Sequence, residues 1–368
     1  MAMQLVLTLV NVGIFAIGLI LLIYGSNVFV ESASRFAKEK GVSELFIGLT
    51  IVAIGTSLPE IFSSSVAIIE GHSELAFTNV MGSTLVNMTL IIGLSAVVSP
   101  LASNAVVIDR DAKIMILILG VLAATLLDPF TPGVIVFWEG SILLLLFFAY
   151  LSFLFTRREE CESCYQFHVF VDYLIRLQFL TSLRGLALRP KQTSTISDSM
   201  ADESATDTVV SHERRPIKEI MLILLSVFFV LLGAQFVVSG SEFITYMWGV
   251  QQGVIGLVIV ALSTSLPELT VSVNSAKRGF GRLLIGNVIG SNIVNITLGL
   301  GLIPIIIPAN IGLHIGNVMV LLFILGIAFA FFYVIRKDWR VTRREGFALI
   351  FLYIIAQIVL IFFSQFSV

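Results

Sequence analysis

"GLTIVAIGTSLPE" occupies residues 48–60 and "GLVIVALSTSLPE" residues 256–268, so ten of thirteen positions agree at an offset of 208. Each stretch begins as an apolar run of the kind that crosses a bilayer. Each then presents a small residue, a Thr-Ser pair, a proline and a glutamate. A carboxylate at membrane depth is costly and functional by default. Pro59 and Pro267 have no N–H and clash with the carbonyls one turn back, at Gly55 and Ser263, so both helices are expected to break there. The same offset, without a gap, aligns "VMGSTLVNMTLIIGL" at 80–94 with "VIGSNIVNITLGLGL" at 288–302. Two matched blocks at one spacing identify an internal duplication.

The surroundings of these blocks are those of a polytopic membrane protein. The chain has 368 residues, 57% hydrophobic and 12% charged, where soluble proteins carry about 25% charged residues. Runs of spanning length read as ten helices, near 5–30, 43–69, 75–98, 113–128, 134–155, 217–245, 252–277, 283–304, 314–335 and 346–365. The first run carries no cleavage site of the Ala-x-Ala type and reads as a retained helix. The organisation is a first five-helix repeat (1–156), a loop (157–216) and a second five-helix repeat (217–368). The fold class is all-α, two inverted repeats with helices 2 and 7 broken.

Charge placement sets the orientation. Arg35, Lys38 and Lys40 follow the first span, and Arg110 and Lys113 the third; Lys277, Arg278 and Arg282 lie between the seventh and eighth, and Arg336, Lys337, Arg340, Arg343 and Arg344 between the ninth and tenth. With the nine in or beside the central loop, all 22 basic residues fall on one face, while the opposite loops carry only Glu70, Glu74 and Asp128 or no charge. The loop is therefore expected in the cytoplasm and both termini outside, in a cell membrane. Five is odd, so the second repeat enters upside down relative to the first. Basic residues accordingly precede the first motif and follow the second. Inverted repeats with interrupted helices are the pattern of secondary transporters whose site lies at the midplane.

Within the loop, residues 165–189 mix aromatics, leucines and arginines and read as an amphipathic helix on the membrane surface. Residues 191–213, rich in Ser, Thr, Asp and Glu, read as disordered. Cys161 and Cys164, with His168 nearby, are half of a zinc or redox pattern whose other half is missing, and read as incidental thiols. Glu31, Glu139, Glu242 and Asp128 read as interfacial.

The donors available at the breaks are all oxygen. Carbonyls near Ala53 and Ala261, hydroxyls of Thr56, Ser57, Thr264 and Ser265, and carboxylates of Glu60 and Glu268 come from the second and seventh spans. Ser83 with Asn87, and Ser291 with Asn295, are four residues apart and share a helix face in the third and eighth. Gly82 and Gly290 precede those serines and allow helices to approach. Such a set selects hard cations, Ca²⁺ or Na⁺, over zinc or copper. Two carboxylates balance one Ca²⁺, and competition with Na⁺ makes a site that crosses only when loaded into an exchanger. No cofactor, nucleic acid or obligatory protein partner is called for; the partners are the two ions and the lipid bilayer. A channel is disfavoured by the broken helices, and an intramembrane protease by the lack of a Gly-x-Ser-x-Gly motif with a histidine partner.

"GTSLPE" and "STSLPE", followed by "GSTLVN" and "GSNIVN", resemble the two alpha-repeats of the sodium/calcium exchanger family, within the cation/calcium antiporters. The likeness covers nearly the whole chain outside 157–216. It implies Na⁺/Ca²⁺ antiport by alternating access, not enzyme chemistry, with Glu60 and Glu268 binding both ions and Thr56 and Thr264 sharing the calcium site. It implies sodium sites from Ala53, Ser57, Ser83, Ala261, Ser265 and Ser291, and sliding of the first and sixth spans against the rest. Potassium-dependent members resemble this chain but carry Asp in the second repeat where Asn295 stands; Asn87 and Asn295 are both neutral here. The proton-coupled branch of the same fold is the runner-up, although it usually shows Gly-Asn-x-x-Glu in place of Thr-Ser-x-Pro-Glu.

Overall fold

The computed structural model describes residues 2–39, 52–102, 105–156, 167–179, 216–249 and 251–364, and the chain is mostly helical throughout them. The Cys161–Cys164 pair, the linker at 191–213 and the start of the second expected span lie outside the described residues.

Two long helices form a pair along one side of the molecule. Helix α1 (Ala2–Glu39) packs along the helix Pro216–Trp248, the opening helix of the second half. Glycines a heptad apart form their seam. A Cβ on Gly18 would sit 2.8 Å from Phe236 Cβ, and one on Gly233 would sit 2.7 Å from the Gly18 carbonyl. Gly25 and Gly240 are equally tight, against Val230 and Phe15. Small residues are how apolar helices associate where water supplies no driving force between them. Only 22% of the most apolar window of α1 is buried and 28% of that of its partner, against 83% for Ser73–Val98 and 78% for Leu284–Ile305. The latter two form the centre of the molecule, and the long pair lies at its edge.

After α1 come α2 (Ala53–Thr56) and α3 (Leu58–Ile69), then α4 (Ser73–Val86), which continues through a π-helical turn at Asn87–Ile91 into α5 (Ile92–Val98). A two-residue strand β1 (Leu101–Ala102) leads to α6 (Ala105–Leu126); β2 (Val134–Ile135) leads to α7 (Phe137–Thr156). Helix α8 (Phe167–Ile175) follows, and α9 is the long helix Pro216–Trp248. The second half repeats the scheme. Helix α10 (Gln252–Val254), a π turn (Ile255–Val260) and α11 (Ala261–Thr264) precede α12 (Leu266–Lys277) and α13 (Gly281–Val294). A second π turn at Asn295–Gly299 then precedes β3 (Ala309–Asn310), α14 (Ile315–Asp338), β4 (Arg340–Val341) and α15 (Arg343–Ser364). The π turns beginning at Asn87 and Asn295 fall at the repeat offset of 208.

Two antiparallel bridges tie the halves together: Leu101 pairs with Val341 and Ala102 with Arg340, while Val134 pairs with Asn310 and Ile135 with Ala309. Each joins a loop of one half to a loop of the other.

Among the described residues, seven helices are long and apolar enough to cross a membrane, or eight if the bent pair Ile255–Thr264 and Leu266–Lys277 is one span. The difference from ten has a local cause in each case. The second expected span is cut at Ser57 and leaves a twelve-residue helix, Leu58–Ile69. The fourth begins at Ala105 rather than near 113, so Arg110, Asp111 and Lys113 enter its first turns. The seventh bends by 48° at its break.

Helix α8 uses its apolar side against the protein. Phe170 and Tyr173 are buried, Phe170 meets Phe153 of α7 edge-on at 5.4 Å, and the Tyr173 hydroxyl lies 2.8 Å from Ser152 Oγ. All four expected interfacial acids have partners, Glu31 pairing with Arg35 one turn on. Glu139 accepts from the Val136 N–H at 2.9 Å, Asp128 from Thr131, and Glu242 pairs with His72.

Candidate ion-binding site

Both helices break one residue before Leu-Pro-Glu. Ser57 (φ −83°, ψ 0°) ends α2 and Ser265 (φ −81°, ψ 8°) ends α11. The proline then falls in the first turn of α3 or α12, where its missing N–H would be unpaired in any case. The glutamate lies in that same first turn, so each carboxylate sits at the positive end of a helix dipole. This arrangement favours a buried negative charge at a point where one is otherwise costly.

The carbonyl that Pro59 leaves without a helical donor is that of Gly55, and the Ser26 hydroxyl of α1 donates to it. This corrects the expectation that the Ala53 and Ala261 carbonyls are freed. Ala53 O accepts the Ser57 N–H at 3.3 Å, and Ala261 O accepts the Ser265 N–H at 3.1 Å. Because the distortion is confined to one residue, the preceding turn keeps its bonds. The second lone pair of each alanine carbonyl faces a threonine hydroxyl, so a cation takes that carbonyl only in exchange for this bond. The Thr56 hydroxyl donates to Ala53 O at 3.4 Å, and that of Thr264 to Val260 O at 3.0 Å and Ala261 O at 3.3 Å.

The two glutamates are fully buried, and each reaches into the other half of the chain. Ser265 Oγ donates to Glu60 Oε1 at 2.9 Å, and Ser57 Oγ donates to Glu268 Oε1 at 3.3 Å. The contacts exchange under the repeat offset. Ser83 adds a longer bond to Glu60 Oε1 at 3.4 Å. Glu60 Oε2 and Glu268 Oε2 have no partner, nor do Ser291 Oγ, Asn87 Oδ1 or either amide atom of Asn295. Asn87 spends its N–H on Asn292 Oδ1 at 2.9 Å.

Buried polar atoms are ordinarily paired. Here buried oxygens, two of them carboxylate, lack partners on four helices that pack against one another. Cations are the species such a set can hold. Among the described residues no three or more His, Cys, Asp or Glu side chains gather, so the charge at the site is that of the two glutamates and the other ligands are neutral oxygens.

Gly82 behaves as its position implies: a Cβ there would fall 2.5 Å from the Leu257 carbonyl oxygen and 2.6 Å from Ala261 Cβ. At Gly290 the nearest atom is Ala53 Cβ at 3.7 Å, an ordinary contact, so close approach is not what that glycine supplies. Sequence reasoning passed over Asn79, Asn287 and Asn292. Asn79 Nδ2 donates to Ser63 Oγ at 3.2 Å and Ser64 Oγ at 3.0 Å, and its Oδ1 accepts from Thr264 at 3.5 Å. The signal was present, since Asn79 and Asn287 extend the second matched block by one residue.

Residues 10–156 and 218–362 match the family described as sodium/calcium exchanger protein. The chain belongs to the sodium/calcium exchanger family. Its relatives include the sodium/calcium exchanger MaX1 of Methanosarcina acetivorans, 35% identical, the match covering 96% of this chain and 99% of that one. An uncharacterised membrane protein of Methanocaldococcus jannaschii is 31% identical over 95% of this chain and 97% of its own. Among solved structures, the sodium-calcium exchanger NCX_Mj soaked with Na⁺ and Sr²⁺ superimposes with a TM-score of 0.56 at 28% identity, covering 95% of this chain and 98% of that one. Both family-matched segments contain one complete copy of the broken-helix motif, and the unmatched interval is the central loop.

Proposed function

We propose that this protein is a secondary active antiporter that exchanges Na⁺ for Ca²⁺ across a cell membrane by alternating access. The observation that carries the reading is the reciprocal pairing of Ser265 with Glu60 and Ser57 with Glu268, which leaves one bare oxygen on each buried carboxylate. A Ca²⁺ ion placed between them would be neutralised by both glutamates and would draw further ligands from Thr56 and Thr264. Na⁺ would use the same carboxylates singly, with Ala53, Ser57 and Ser83 on one side, Ala261, Ser265 and Ser291 on the other, and Asn87 and Asn295 between. Both ions cannot be held at full charge compensation at once, and that exclusion is what couples their movements. The names and soaks of MaX1 and NCX_Mj support the choice of ions.

The topology proposed is ten spans in two inverted repeats, with the loop cytoplasmic and the termini outside. The strand bridges support it. β1 and β3 stand 208 residues apart, and each pairs with the loop before the last helix of the opposite half, as a pseudo-two-fold axis in the membrane plane requires. The edge pair α1 and α9, with its glycine seam, is the part suited to slide.

The test is Ca²⁺ uptake into proteoliposomes under imposed Na⁺, H⁺ or K⁺ gradients. Uptake driven by an outward Na⁺ gradient is the expected result. Uptake driven by a proton gradient and indifferent to Na⁺ would replace this reading with proton coupling.

A further inference from the structure

Under the offset of 208, the polar side chains of α4 and its π turn have identical counterparts on α13 and its own: Asn79 with Asn287, Ser83 with Ser291, Asn87 with Asn295. All six are buried. In the first half every one donates a hydrogen bond: Asn79 to Ser63 and Ser64, Ser83 to Glu60, Asn87 to Asn292. In the second half both amide atoms of Asn287 and Asn295 and the hydroxyl of Ser291 are unpartnered. Ser272, the counterpart of Ser64, is also buried and unpartnered, although its helix α12 packs directly on α13. Part of the difference is chemical, since Ser63 has Val271 as its counterpart and Asn292 has Thr84. The pair Asn79 and Ser64 recurs intact as Asn287 and Ser272, and there the relative placement of α12 and α13 makes the difference. Identical side chains that are bonded in one half and unbonded in the other mark an interface with two arrangements, which is how packed elements switch.

We propose that Asn79 and Asn287 are reciprocal positioning residues of the exchange cycle: here Asn79 latches α4 to α3 and shuts that end of the site, and in the opposite state Asn287 latches α13 to α12 through Ser272 while Asn79 lets go. The inference rests on the alternating-access reading above. In the proposed topology α3 runs from the site to the outer surface and α12 from the site to the cytoplasm, so the two latches govern opposite entrances. The Asn79 carbonyl also accepts the Thr264 hydroxyl of the opposite half, at 3.5 Å. Thr264 has one proton, shared also with Val260 O at 3.0 Å and Ala261 O at 3.3 Å, so its contact with Asn79 is the weakest of the three and the first that a cation on its oxygen would disturb. Thr56 stands in the corresponding place for Asn287.

The test is hydrogen–deuterium exchange of the full-length protein in lipid nanodiscs, read over residues 58–69 and 266–277. The variants are Asn79→Ala, Asn287→Ala and the gentler Ser64→Ala and Ser272→Ala, which remove one hydroxyl each and preserve packing. Removing the engaged latch with Asn79→Ala or Ser64→Ala is expected to speed exchange over 58–69 and slow it over 266–277, each by about fivefold, the effect of one lost hydrogen bond on a two-state balance. Asn287→Ala or Ser272→Ala is expected to shift both segments in the reverse sense. Acceleration of both segments together, or a change confined to the substituted half, overturns the proposal. So does a change in Ca²⁺ affinity without any shift in exchange, which would make Asn287 an ion ligand instead. Na⁺-driven Ca²⁺ uptake by the wild-type protein is measured on the same preparation. If it is absent the antiport reading fails; if it is present and the exchange pattern is unmoved, only the latch fails.

Discussion

Glu60 and Glu268 are the two places where charge, burial and backbone geometry coincide. Replacing either by glutamine keeps the shape and the helix start but removes one unit of charge. At about 4 Å and an effective dielectric near 20, a unit charge pair is worth roughly 4 kcal/mol, so Ca²⁺ binding should fall by two or more orders of magnitude. Glu60→Gln and Glu268→Gln are each expected to abolish Na⁺-driven Ca²⁺ uptake while eluting as folded protein on size exclusion. Near-normal transport by a well-folded variant would take that residue out of the mechanism. Asn295 carries the complementary argument. It is buried, neutral and without partners, so it can offer a carbonyl dipole but no charge. A K⁺ ion beside Ca²⁺ would leave the site net positive in dry surroundings, which is costly. Uptake into sodium-loaded vesicles is therefore expected to proceed undiminished when K⁺ is replaced by choline on both sides. A strict K⁺ requirement would mean that an acidic ligand is missing from this account.

The helices differ in how much change they tolerate, and the glycines show it. Gly82 faces the backbone of the π turn before α11, and backbone cannot rotate away as a side chain can. Gly82→Val is expected to destabilise the protein by about 1–3 kcal/mol, as overpacking does, and to lower the thermal midpoint in detergent. Gly120, in α6, has nothing within 4 Å of its Cβ position. Gly120→Ala should be neutral or stabilising by a few tenths to about 1 kcal/mol, since alanine loses less backbone entropy in a helix. Equal effects of the two substitutions would show that the contact at Gly82 is not what limits stability. The break positions were legible in sequence because proline and glutamate are poor occupants of a membrane helix unless they serve a purpose. The π turns at Asn87 and Asn295 were not, because no residue type marks an i→i+5 turn.

For the whole molecule, the testable quantity is which face each loop occupies. Phe130 lies in the turn before β2 and is 89% exposed, and Arg278 lies exposed in the turn between α12 and α13. Single cysteines at these positions, in a background with Cys161 and Cys164 replaced, should label from opposite sides. The Phe130→Cys variant should react with an impermeant maleimide on intact cells, and the Arg278→Cys variant only after permeabilisation. Labelling of both from one side would break the inverted arrangement.

The membrane class, the duplication, the expected orientation and nearly all the candidate ligands could be read from the sequence alone. Each rests on local chemistry: apolar length, the side on which Lys and Arg fall, and the cost of a carboxylate in hydrocarbon. The reciprocal reach of Ser57 and Ser265 to the opposite glutamates belongs to the tertiary structure. So do the capture of the Gly55 carbonyl by Ser26 and the burial of α8 against α7. These depend on which elements, tens to hundreds of residues apart, are pressed together, and hydrogen-bond partners at that range leave no periodic trace along the chain. The inequality between the bonded Asn79 and the unpartnered Asn287 is the sharpest case. Val271 in place of Ser63 removes one acceptor, but the pair Asn79 and Ser64 reads the same as Asn287 and Ser272, and there the packing of α3 on α4 and α12 on α13 makes them differ.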